Sequence, residues 1–185
     1  MIKVTLLGDS IRQSYSFGVS QMLGDEFDVY APADNSRFAK YTLRQIFEER
    51  ENMRGTRIVH FNNGMWDICN LFGDGTFTSE QEYIDNVLRI ADILLSKYEK
   101  VIFATTTPVR KNNCYNNIND IIRFNEVIVP KLQEKGVIIN DLFTPVAEDI
   151  DGNVSDDTLH LSAKGVAICE NLVAEAIKKA AADLK

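Results

Sequence analysis

The sequence predicts a three-layer α/β/α sandwich, with helices on both faces of a five-stranded parallel sheet. Three observations carry that expectation. Short apolar runs alternate with longer stretches of helical period, the pattern of parallel strands joined by crossover helices. Each run draws on Val, Ile, Leu or Phe, and three of the five end in Asn or Thr. No internal repeat, low-complexity tract or Pro/Ser-rich linker interrupts the alternation, so one domain over 1–185 is expected.

The five runs are 2–7 (IKVTLL), 27–31 (FDVYA), 57–62 (RIVHFN), 100–105 (KVIFAT) and 136–140 (GVIIN). Helices are expected near 12–24, 41–53, 79–98, 117–135 and 162–183. The third carries Tyr83, Val87, Ile90, Ala91 and Leu94 at spacings of three and four, an apolar stripe suited to a sheet face. The last sets Val166, Leu172, Val173 and Ile177 on one side and ends in lysines, as the helix dipole favours. Pro130 falls inside the fourth, where a proline removes a hydrogen bond, so two helical pieces meeting there are expected. The longest irregular stretches are 68–78 and 141–161. In such sheets ligands bind beyond the carboxyl ends of the strands, which directs attention to the residues that follow each run.

Composition narrows the classes of function. With 20 Lys+Arg against 27 Asp+Glu, the formal net charge of −7 repels phosphate backbones and anionic lipid headgroups, so nucleic acid is not an expected partner. A chain of 185 residues buries roughly 70% of its unfolded surface, enough for a core without disulfides or metal. Cys69, Cys114 and Cys169 are odd in number, far apart and without a CxxC or Cys/His cluster, so they read as reduced and no metal site is expected. The apolar run after Met1 is too short for a signal peptide, and no run approaches the ~20 residues of a membrane span, which makes a cytoplasmic location the default expectation.

Chemistry collects at the strand ends. Strand one runs into Gly8-Asp9-Ser10-Ile11 just before a helix, where backbone N–H groups and the helix dipole favour developing negative charge. Position alone leaves Ser10 as a nucleophile or as an N-cap serine. A hydroxyl nucleophile needs a base, and the chain has two histidines. His60 lies within strand three, where a hydrogen-bonded core residue is expected. His160 lies in Asp156-Asp157-Thr158-Leu159-His160-Leu161, in the loop before the last helix. An aspartate three residues earlier can fold back onto Nδ1, which nominates Asp157, with Asp156 the alternative. No calcium-loop spacing accompanies these aspartates.

At this point the sequence resembles the GDSL, or SGNH, hydrolases. Gly8-Asp9-Ser10-Ile11 is similar to their nucleophile block, and Asp157-Thr158-Leu159-His160 to their terminal DxxH block, with the likeness running over essentially the whole chain. The resemblance implies an esterase or lipase without a cofactor, acting on a small-molecule or carbohydrate ester. Ser10 would then be the nucleophile, His160 the general base and later acid, and Asp157 its orienting partner. The family's GxND block corresponds to Gly64-Met65-Trp66-Asp67, so Trp66 stands at the position of the oxyanion-hole Asn, and either its indole N–H or the neighbouring Asn63 would substitute. The glycine amide of the second block corresponds to Ser36 in Asp34-Asn35-Ser36-Arg37, with Asn35 able to add a side-chain donor. Thr105-Thr106-Thr107-Pro108-Val109 is expected at the pocket rim without a catalytic role.

The resemblance therefore implies acyl transfer through an acyl-enzyme on Ser10. Tyr15, Phe17, Trp66, Phe72 and Tyr115 could supply an aromatic wall for a sugar or a short acyl chain, and O-acetylated carbohydrate is the first substrate expected. The alternative is a family member that binds a carbohydrate or acylated ligand but hydrolyses poorly, motivated by Trp66. A flavodoxin-like nucleotide or flavin binder shares the fold class, but no Gly-rich phosphate loop follows strand one.

Overall fold

All five apolar runs become parallel strands in the computed structural model, which describes residues 1–184. The strands are β1 (Ile2–Leu7), β2 (Phe27–Tyr30), β3 (Ile58–Phe61), β4 (Lys100–Ala104) and β5 (Ile138–Asn140), in the order β2-β1-β3-β4-β5. The helices are α1 (Ser10–Leu23), α2 (Ala39–Glu48), α3 (Met65–Ile68), α4 (Glu80–Leu95), α5 (Ile118–Glu134), α6 (Phe143–Ala147), α7 (Ile150–Asn153) and α8 (Ala163–Ala182).

The period of two along each strand divides the core between the sheet's faces. Leu7, Val59, Phe61, Val101 and Phe103 pack against α2, α4 and α5, where the expected stripe of Tyr83, Val87, Ile90, Ala91 and Leu94 is fully buried. Val4, Leu6, Ile58, Ile102 and Ala104 face the other way, onto Ile11, Tyr15 and Val19 of α1 and Cys169, Val173 and Ile177 of α8. Helices on both faces complete the three layers. Both the β1–β2 and β1–β3 neighbours are parallel, so the chain leaves β1 for one side of the sheet and returns on the other. The carboxyl ends of β1 and β3 are thus the switch point at which open α/β sheets bind ligands.

Two expectations require correction. Pro130 does not split α5, which runs unbroken from Ile118 to Glu134. Pro130 and Glu126, one turn earlier, are both solvent-exposed, so water can satisfy the carbonyl that the missing N–H leaves free. The stretch 141–161 is not irregular throughout but contains α6 and α7. Asp149 caps α7 by accepting from the Gly152 N–H at 3.1 Å. Among the described residues no helix is long and apolar enough to cross a membrane.

Candidate active site

The turn after β1 is built to present Ser10. Gly8 has φ 153°, and a Cβ there would stand 1.8 Å from Asn62 Oδ1, so only glycine lets the ends of β1 and β3 approach this closely. The residue that caps α1 is Asp9, not Ser10: Asp9 Oδ1 accepts from the Ile11 N–H at 3.0 Å and from Asn62 Nδ2 at 3.1 Å. Burial pushes the Asp9 carboxyl up, against these two hydrogen bonds and the nearby Arg12. Ser10 becomes the first helical residue, so its own N–H has no partner within the helix. The buried Arg12 guanidinium fastens the turn from beneath, donating to the carbonyls of Gly8 (3.1 Å), Pro32 (2.9 Å) and Asp34 (3.0 Å).

His160 reaches Ser10 from the opposite end of the chain. The segment before α8 closes as a tight turn, with Val154 and Leu161 in an antiparallel bridge and the Ser155 N–H donating to the His160 carbonyl at 2.7 Å. Within it Asp157 Oδ2 stands 2.6 Å from His160 Nδ1, and His160 Nε2 stands 2.9 Å from Ser10 Oγ. Asp157 Oδ1 accepts from the N–H groups of Leu159 and His160, both at 2.9 Å, and from the Ser155 hydroxyl at 2.7 Å. These donors, the Leu159 N–H foremost, hold the carboxyl well below the usual carboxylate range and outweigh its partial desolvation. An ionised carboxylate only accepts, so Nδ1 carries the imidazole proton and Nε2 is left to accept from the Ser10 hydroxyl. Asp156, the alternative, points into solvent and pairs with Arg110 at 3.3 Å.

His60 is the core residue expected of it. It is fully buried, its Nε2 lies 3.1 Å from Asn140 Oδ1, and burial pulls its pKa down to about 4.

The residues nominated for the oxyanion hole divide. Ser36 is not available: its N–H donates to the Gly8 carbonyl at 2.9 Å, and its hydroxyl accepts from the Gly8 N–H at 2.7 Å while donating to Gln45 at 2.5 Å. It ties the loop after β2 to the nucleophile turn instead. The Asn63 side chain is also committed, donating to Thr42 Oγ1 at 2.8 Å and to the Arg37 carbonyl at 3.4 Å, and is fully buried. Gly64 shapes the backbone, with φ 144° and room for no Cβ, since one would stand 2.1 Å from Thr106 Oγ1. Asn35 spends its Oδ1 on the Arg37 N–H at 2.7 Å, while its amide donors have no partner among the described residues. Trp66 is 42% exposed, and its indole N–H likewise has no acceptor among the described residues. Asp67 caps α2 from afar through the Ala39 N–H, at 3.2 and 3.1 Å, and burial pushes its carboxyl up to about 7.

Trp66, Ser10 and His160 share one apolar cavity of about 220 Å³, completed by Met65, Cys69, Leu71, Tyr115, Asn116 and Leu159. A larger groove of about 870 Å³ adjoins it through Leu71, Tyr115 and Asn116, and is otherwise lined mostly by the asparagine-rich segment 110–119. The expected aromatic wall is therefore only partly right. Trp66 and Tyr115 line the cavity, whereas Tyr15 is fully buried beside His60, and Phe17 and Phe72 point into solvent. Of the segment 105–109 only Val109 lines the groove: Thr105 accepts from the Leu142 and Phe143 N–H groups, Thr106 donates to the Asn63 carbonyl at 3.1 Å, and Thr107 is buried. Leu71 and Asn116 carry no motif in the sequence, Cys69 is marked there only as a lone cysteine, and Leu159 only as a spacer within the DxxH block. Their shared cavity exists only once the loops after β3 and β4 meet.

No family model matches the chain. A GDSL esterase/lipase, WDL1, from Oryza sativa subsp. japonica is 28% identical over 201 aligned positions, covering 95% of this chain and 77% of its own. The solved lipase/acylhydrolase from Enterococcus faecalis superposes with a TM-score of 0.81 at 18% identity, covering 97% of this chain and 96% of that one. Axe2, an acetylxylan esterase from Geobacillus stearothermophilus, gives 0.75 at 14% identity, covering 95% and 94%. The fold is thus that of the GDSL-like lipases and acylhydrolases. The resemblance drawn from the nucleophile and DxxH blocks is borne out.

Proposed function

We propose that this protein is a serine esterase that hydrolyses carboxylic esters of short acyl groups through an acyl-enzyme on Ser10, with O-acetyl groups on carbohydrate as the first candidate substrate. The continuous Asp157–His160–Ser10 hydrogen-bonded chain, at 2.6 and 2.9 Å, carries this reading. His160 Nε2 takes the proton as Ser10 Oγ bonds to the ester carbonyl carbon. The same proton then passes to the leaving alkoxide as the C–O bond breaks, releasing the alcohol. Water, deprotonated by His160, attacks the acyl-enzyme, and the carboxylic acid leaves as the proton returns to Ser10. Asp157 keeps the imidazole in the required tautomer and stabilises the imidazolium. The oxyanion is held by the Ser10 N–H at the start of α1, with the indole N–H of Trp66 and the side-chain amide of Asn35 as candidates for further donors.

The apolar cavity beside Ser10 has the size of a short acyl group, which supports the acyl-chain assignment. The adjoining groove has room for a larger alcohol portion such as a sugar chain, and the acetylxylan esterases among the structural neighbours support that class. A ligand-binding protein with little turnover is the second reading, favoured by one observation: the Ser36 N–H and the Asn63 side chain are both bonded elsewhere. The two readings separate on hydrolysis of p-nitrophenyl acetate by the wild type, Ser10→Ala and His160→Ala. Turnover lost in both variants supports the esterase, and an inert wild type supports the binding protein.

A further inference from the structure

Thr158, between Asp157 and His160, has φ 72°. This left-handed conformation is unfavourable for a β-branched residue, and such an outlier persists only where its surroundings impose it. Its own turn contributes one contact, the Thr158 N–H donating to the Ser155 carbonyl at 3.0 Å, and the others come from one segment of the loop after β4. The Arg110 N–H donates to the Thr158 carbonyl at 2.9 Å, and Asn113 Nδ2 donates to Thr158 Oγ1 at 3.0 Å. The Arg110 guanidinium also donates to the Val154 carbonyl at 2.6 and 3.1 Å and to that of Asp151 at 3.0 Å, and pairs with Asp156. Asn113 is fixed in turn, its Oδ1 accepting from the N–H groups of Tyr115 (3.0 Å) and Asn116 (2.7 Å). Neither residue lines the cavity shared by Ser10 and His160; both line the larger groove beside it.

We infer that Arg110 and Asn113 are positioning residues, which hold Thr158 in its left-handed conformation and thereby set the Asp157–His160 pair against Ser10. This rests on the esterase reading above. If Thr158 relaxes to a right-handed or extended conformation, the direction of the chain changes between the two residues whose side chains must meet at Nδ1. The Leu159 and His160 N–H groups that order Asp157 Oδ1 lie in the same three residues. A displacement of about 1 Å at a reacting group can lower a rate about a hundredfold. The groove wall and the histidine loop are therefore fastened by the same two side chains.

The test measures kcat and KM on p-nitrophenyl acetate for Arg110→Ala, Asn113→Ala and the double variant Asn113→Ala/Thr158→Gly, with Ser10→Ala as the reference for the reading itself. A proton NMR spectrum of each follows the low-field resonance of the His160 Nδ1 proton shared with Asp157. The expected result is a kcat lowered about ten- to a hundredfold in both single variants, with KM within about twofold because the acyl cavity keeps its lining. The low-field resonance should weaken or move with kcat. Glycine adopts φ 72° without being held there, so the double variant should recover most of the kcat and the resonance, a rescue that simple loss of packing would not give. Single variants with wild-type kcat and an unchanged resonance would overturn the inference. So would a double variant no better than Asn113→Ala. If Asn113→Ala does not fold, Asn113→Ser, which keeps a short acceptor for the Tyr115 and Asn116 N–H groups but cannot reach Thr158, decides by the same comparison with Asn113→Ser/Thr158→Gly. Retention of activity by Ser10→Ala would overturn the esterase reading instead, which separates the two failures.

Discussion

His160 Nε2 lies 2.9 Å from Ser10 Oγ across 150 residues of sequence, the two brought together at the starts of α8 and α1, which pack on the same face of the sheet. In the proposed reaction this contact is the path of the proton. Ser10→Ala and His160→Ala should each lower kcat on p-nitrophenyl acetate by about a thousandfold or more, and the double variant should lose little beyond either single change, because the groups act as a unit. Steady-state kinetics of the three variants checks this, and additive losses would count against it.

Asp157, not Asp156, contacts Nδ1 of His160, and in the proposed reaction it orients the imidazole. Asp157→Asn replaces an acceptor-only carboxylate with an amide, which can present an N–H to Nδ1 and favour the wrong imidazole tautomer; the expected loss in kcat is about a thousand- to ten-thousandfold. Asp156→Asn removes one solvent-exposed ion pair, with an expected change of about threefold or less. Comparing the two variants on one substrate tests the assignment.

Trp66 takes the place of an asparagine in the resembling block, and its indole N–H, beside Ser10 in the cavity, has no acceptor among the described residues. Trp66→Phe keeps an aromatic ring but deletes the N–H. If the indole holds the oxyanion, kcat should fall about a hundred- to a thousandfold with KM little changed. A rise in KM at constant kcat would make Trp66 a wall of the cavity and no more.

His60 gives stability a dependence on acidity. Its pKa is about 4 when folded against 6.5 unfolded, because burial opposes the charge. Below 6.5 the unfolded chain binds the proton more readily, so the contribution of neutral His60 is fully present above pH 6.5 and lost as pH falls through the window to about 4. The whole effect is about 3 kcal/mol. Urea unfolding of wild type and His60→Gln across that window should show the wild type losing stability faster on acidification, and parallel pH curves would refute the assignment.

The fold was legible because its signal is local: five apolar runs and their helical partners repeat at periods the sequence displays directly. Ser10, Asp157 and His160 were legible because each sits in a short motif at an element boundary. The donors free to serve a proposed oxyanion hole were not, because whether a donor is free depends on partners distant in sequence. The Ser36 N–H is spent on Gly8, 28 residues away, and the Asn63 amide on Thr42, 21 residues away. Pro130 misled for a related reason, since a proline's cost depends on whether the carbonyl one turn earlier faces water. The hold of Asn113 on Thr158, 45 residues on, leaves no pattern in the sequence at all.

The central claim is a covalent intermediate on Ser10, and the most direct measurement is mass spectrometry of the intact and digested protein after reaction with a fluorophosphonate. One adduct per chain is expected, mapped to the peptide containing Ser10, absent from Ser10→Ala and formed far more slowly by His160→Ala. Ester hydrolysis by a wild type that carries no adduct on Ser10, or carries it on another residue, would contradict the claim.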